Sequence, residues 1–161
     1  MRNGLIKKQE IDEFEGTNKT HFLNKNAQRT NKSLGDLAGI KGFGFHIVEI
    51  ESGFESTEHH VHYFEDECVY VLEGKGTARI GEEEFSIEEG DFIGYPAGGE
   101  AHSIINESDV TLRCIVVGQR LDHDVADYTW MKKRIYRNKG LPWNLVDLDN
   151  IDEPMRSVGQ K

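Results

Sequence analysis

The chain has 161 residues and a formal net charge of −10, from 19 Lys and Arg against 29 Asp and Glu. That length fits one domain with a buried core, although only 37% of the chain is hydrophobic. The charge argues against nucleic acid and anionic membrane as partners, because both need clustered Lys and Arg. Glycine, at 17 residues, exceeds the usual ~7%. With only 3 prolines, this points to many tight turns between short strands.

Residues 1–10 show no signal peptide, and no apolar run approaches the ~20 residues that span a bilayer. The expectation is a cytoplasmic protein in which Cys68 and Cys114 are free thiols. Residues 1–41 read as an N-terminal arm, polar and without a period through residue 33, that packs on a barrel or is partly disordered. From Gly42 the texture changes. Strands are expected at Phe43–Ile50, His60–Tyr63, Glu67–Leu72, Thr77–Ile80, Glu84–Ile87, Asp91–Tyr95, Ala101–Ile105 and Val110–Val117. Turn signals separate them every ~8–12 residues, the pattern of an all-β sandwich or barrel. Residues 42–120 are assigned to this domain and residues 121–161 to a C-terminal extension. Within the extension, Tyr128–Tyr136 and Trp143–Leu148 are further strands or an extended arm.

His59, His60 and His62, three of the seven histidines, fall within four residues of one another. In an extended chain residues i and i+2 share a face, so His60 and His62 project together while His59 points away. Glu67 follows a short turn that can set its carboxylate beside the two imidazoles. His102 comes just after the Pro96-Ala97-Gly98-Gly99 corner. Two neutral imidazoles with a carboxylate suit a divalent first-row metal, and a third imidazole leaves room for water or substrate. An H-x-H alone fits a solvated strand edge equally well. The spacing of the surrounding glycines favours the metal.

Gly53, His60-Val61-His62, Glu67 and Gly74 follow the first motif of the cupin superfamily, with six residues instead of five before His60. Gly90, Pro96-Ala97-Gly98, His102 and Asn106 follow the second, with three residues instead of two before the histidine. Both departures fall in loops, where an added residue is absorbed cheaply. Residues 42–118 thus resemble a cupin. The stretches 65–74, 90–98 and 117–128 look closest to small stand-alone bacterial cupins, which are labelled sugar-phosphate-isomerase-like by analogy. The resemblance implies a double-stranded β-helix, a jelly-roll barrel with metal and substrate inside. It also implies one divalent transition metal (Fe, Mn, Zn or Ni) on His60, His62, Glu67 and His102, and a homodimer.

The functional expectation is a metal-dependent enzyme whose small-molecule substrate coordinates the metal. Oxygenase, sugar isomerase or epimerase, and lyase chemistry are all compatible with those ligands. The alternative is a module that binds or senses a small ligand without turnover. Tyr95 is a candidate general acid if it reaches the barrel mouth, and a core residue otherwise. Arg113 lies mid-strand in an apolar run. Facing inward it would hold an anionic substrate, and facing outward it is a surface ion-pair residue. Glu58 and His59 are either orienters of the ligands or solvated loop residues. Asn106 suits a structural turn.

Overall fold

The computed structural model describes residues 4–152. Two short helices, α1 (Lys8–Glu13) and α2 (Leu34–Ala38), accompany β1 (Thr17–His21), β2 (Asn24–Ser33), β3 (Phe43–Ile50), β4 (Val61–His62) and β5 (Glu67–Glu73). These are followed by β6 (Lys75–Ile80), β7 (Glu83–Glu88), β8 (Phe92–Tyr95), β9 (His102–Ile105) and β10 (Leu112–Gln119). The last strands are β11 (His123–Tyr128), β12 (Lys133–Asn138) and β13 (Asn144–Asp147). One sheet runs β1-β2-β3-β10-β5-β8, a second β13-β12-β11-β4 and a third β7-β6-β9, with every pairing antiparallel. A bridge between His60 and His102 joins the second sheet to the third.

The period of two in β3, β5 and β10 builds the interior in layers. Ile50 pairs with Leu112, then Val48 and Val71 with Cys114, then His46 and Val69 with Val116. The layers run from apolar to polar along the barrel axis. At the apolar end Ile50, Val71 and Leu112 are almost fully buried and pack with Ala78, Ile87 and Ile104. Each such side chain contributes about 1.5–3 kcal/mol. At the polar end the same alternation presents His46 and Glu67 to the interior.

Turns fix the register. Gly74 has φ of +88°, and a Cβ there would lie 2.7 Å from the Thr111 carbonyl oxygen, so only glycine connects β5 to β6. Asn106 is fully buried and ties three segments together. Its Nδ2 donates to the Ile50 and Val110 carbonyls, and its Oδ1 accepts from the Ser108 backbone and hydroxyl. That is the structural role expected of it.

Part of the expected arm is a wall of the barrel. Residues 17–33 form β1 and β2, with β2 paired to β3 over Thr30–Ser33. Tyr128–Tyr136, read as one strand or an arm, instead spans a turn between β11 and β12. Residues 153–161 of the expected C-terminal extension lie outside the described residues. Among the described residues no helix is long and apolar enough to cross a membrane.

Candidate metal centre

A cavity of about 460 Å³ occupies the polar end of the barrel, and His60, His62, Glu67, Tyr95 and His102 all line it. His62 stands on β4 beside β11, and Glu67 opens β5 opposite Tyr95 of β8. His60 and His102 are held by reciprocal backbone bonds of 3.1 and 2.8 Å. The Gly98 amide donates to the His62 carbonyl at 2.7 Å, so the corner before His102 is fastened to the strand of His62.

Three of the imidazoles face one another. Ring centroids are 4.8 Å apart for His60 and His62 and 4.7 Å for His60 and His102. His60 Nε2 lies 3.1 Å from His62 Nε2, and His102 Nε2 lies 3.7 Å from Glu67 Oε1. The opposite ring nitrogens explain this convergence. Nδ1 of His60 donates to the Glu58 carbonyl at 2.8 Å and that of His102 to the Glu100 carbonyl at 3.3 Å. Nδ1 of His62 donates to Asp124 Oδ2 at 2.7 Å. Carbonyls and carboxylates only accept, so each Nδ1 carries a proton, and in the neutral ring Nε2 then presents a lone pair inward.

These donors fit a divalent ion. Two lone pairs 3.1 Å apart repel unless a cation lies beside both. Two nitrogens each about 2.1 Å from one ion stand about 3.0–3.4 Å apart. The Nε2 of His102 is buried with no hydrogen-bond partner among the described residues, as a ligand atom would be without its ion. Burial, with His102 and His62 adjoining, pushes the His60 imidazolium pKa well below its ordinary value, keeping the ring neutral as ligation requires. Burial works against an ionised Glu67, but the adjoining His102 and His60 rings outweigh it and hold its carboxyl at about 2.

A second group, His62, Glu65 and Asp124, also brings potential ligand atoms within 4.8 Å of one another. The Arg137 guanidinium already bonds both of these carboxylates, so a cation is in place. This cluster orients the His62 ring from behind. Burial disfavours the Asp124 carboxylate, and the bonds from His62 and Arg137 overcome this, holding it at about 2.

Tyr95 stacks on His102 with centroids 3.6 Å apart and planes at 3°, and its buried hydroxyl has no partner. Arg113 takes the outward, ion-pairing position of its two readings and not the inward one. It lies out of phase with Cys114 and Val116, which line the cavity, and pairs on the outer face with Glu49 and Glu73. Glu58 and His59 are buried, not solvated. The Glu58 carbonyl orients His60, while His59 bonds Ser103 and stacks on Trp130.

Several cavity residues escaped the sequence reading. Lys19, His21, Arg29 and Asn31 come from the supposed arm, and Arg137 comes from β12. The alternation Ala27, Arg29, Asn31 was the available signal, but both faces of β2 are polar and mask it.

A cupin domain family model matches residues 46–118. Among curated proteins, none matches the sequence. The crystal structure of a protein provisionally named a sugar phosphate isomerase, from Acidithiobacillus ferrooxidans, is 50% identical with a TM-score of 0.92. That match covers 95% of this chain and 97% of the other. A cupin-superfamily sugar phosphate isomerase from Silicibacter pomeroyi is 27% identical with a TM-score of 0.79, covering 92% of this chain and 97% of the other. A layered antiparallel barrel, both glycine-framed histidine motifs and likeness over nearly the whole length agree: the chain belongs to the cupin superfamily.

Proposed function

We propose that the protein is a metal-dependent isomerase of a small hydroxy-carbonyl compound of the sugar class, with His60, His62, Glu67 and His102 as the metal ligands. The observation that carries the metal reading is the convergence of Nε2 lone pairs on one point beside an unpartnered, buried His102 Nε2. The isomerase reading draws on the names of the two similar structures.

A divalent ion held there supplies Lewis-acid polarisation of a substrate oxygen. The surrounding residues do the rest. Burial, with the Glu67 charge nearby, raises the Tyr95 phenol pKa well above its ordinary value, so it stays protonated at neutral pH. With no partner among the described residues, its hydroxyl can donate to a substrate oxygen. Phe22 and Trp143 line the same cavity as exposed apolar rings.

Two measurements test this. Protein purified without an affinity tag should carry about one Fe, Mn, Ni, Co or Zn per chain, and His60→Ala or His102→Ala should abolish it. Metal-free protein that takes up none of these ions would refute the metal assignment. The loaded protein, incubated with aldose and ketose derivatives in D₂O, should interconvert them, with Tyr95→Phe slowing turnover about 100-fold. Oxygen uptake with the substrate would replace the isomerase by an oxygenase. Tight binding without turnover would replace it by a sensing module.

A further inference from the structure

Lys19 and Arg29 sit directly opposite each other in the β1–β2 ladder, and both line the cavity that holds the histidine cluster. Like charges facing across an antiparallel pair destabilise it unless something negative lies between them. Among the described residues neither forms an ion pair. Asp36 is already held by both terminal nitrogens of Arg120. The carboxylate whose charge reaches Arg29, Glu67, belongs to the proposed metal set. The Nε of Arg29 is buried with no hydrogen-bond partner among the described residues.

The guanidinium is nevertheless fixed in place. One terminal nitrogen donates to the Ser56 carbonyl. Ser56 in turn is pinned to β9, its amide donating to the Ile104 carbonyl and its hydroxyl accepting from the Ile104 amide. An arginine so held offers donors in a set geometry, as binding an oxyanion requires. Two more cavity residues register the local positive field. Burial and the Arg29 charge lower the His21 pKa to about 4, and burial with the Arg120 and Lys19 charges lowers that of His46.

We propose that Lys19 and Arg29 form an anion subsite on the β1–β2 wall, which binds a phosphate or carboxylate group of the substrate while its other end reaches the histidine cluster. The subsite deepens the function proposed above by naming the substrate class: a small, metal-chelating compound that carries a terminal oxyanion. A 460 Å³ cavity accommodates a molecule of that size. Arg29 supplies the directional bonds, and Lys19 supplies a second charge at the more exposed rim.

Calorimetric titration of the metal-free and metal-loaded full chain with inorganic phosphate, and separately with malonate, tests the subsite at low ionic strength. At least one anion should bind the wild type, and the tighter one identifies the oxyanion as phosphate or carboxylate. Arg29→Gln should weaken binding at least tenfold and Lys19→Gln severalfold, with metal content unchanged. Arg29→Lys, which keeps charge without the fork, should fall between wild type and Arg29→Gln. If Arg29→Gln does not fold, Lys19→Gln and Arg29→Lys decide. His102→Ala, which tests the metal, should retain anion binding, so either assignment can fail alone. Wild-type affinity in the Arg29 and Lys19 variants, or no binding of either anion by the wild type, overturns the subsite.

Discussion

His62 illustrates how much of a site lies behind the atom proposed to ligate. Its inward nitrogen is legible in the H-x-H spacing, but its orientation depends on Asp124, 62 residues away, and on Arg137, which bonds that same carboxylate. No local pattern announces such a partnership, because it arises only when β11 and β12 fold over β4. The Asp124 carboxyl, 1% exposed and held at about 2, has a pKa below its ordinary 3.8. A depressed carboxylate stabilises the fold above its unfolded pKa, and the contribution is lost as pH falls through the folded value. Asp124→Asn should therefore destabilise the metal-free protein by about 2 kcal/mol at pH 7. The gap to wild type should close between about pH 4 and pH 2. Denaturant melts of both proteins across that range provide the check, and a gap independent of pH would refute it. Metal affinity should drop roughly 10- to 100-fold in the same variant, because the His62 ring loses its fixed tautomer.

Strands were readable from sequence where one face is apolar and invisible where both faces are polar. Phe43–Ile50 forms β3 with the expected bounds, since Val48 and Ile50 face the core on either side of half-buried Glu49. In β2, Asn24–Ser33, the inward positions near the cavity are Arg29 and Asn31, so the strand reads as a solvated arm. The same alternation decides Arg113. Cys114 and Val116 take the inward positions of β10, leaving Arg113 on the outer face, its side chain 34% exposed between Glu49 and Glu73. Half-exposed ion pairs of this kind contribute little. Arg113→Gln should change stability by less than about 1 kcal/mol and leave metal content and anion binding intact. Loss of anion binding in this variant would return the substrate-holding role to Arg113.

The whole molecule is three sheets meeting at one point. His62 belongs to the β13-β12-β11-β4 sheet, Glu67 to the six-stranded sheet and His102 to the β7-β6-β9 sheet. The motifs were legible because the glycine turns that close each hairpin set their spacing. That the proposed ligands come from three different sheets follows only from the closure of the barrel. An ion held by these residues would link all three sheets at the end where apolar packing gives way to polar side chains, so its binding belongs to the folded state alone. At a concentration 100 times its dissociation constant, such a ligand adds about 2.7 kcal/mol. For a chain of this length that corresponds to about 5–10 °C in Tm. Chelation should lower the melting temperature of the loaded protein by that amount, and restoring the ion should recover it. His102→Ala should melt at one temperature with or without chelator. If chelation leaves the wild-type transition unmoved, the three sheets are held by backbone ladders and core packing alone, and the histidine cluster carries no structural ion.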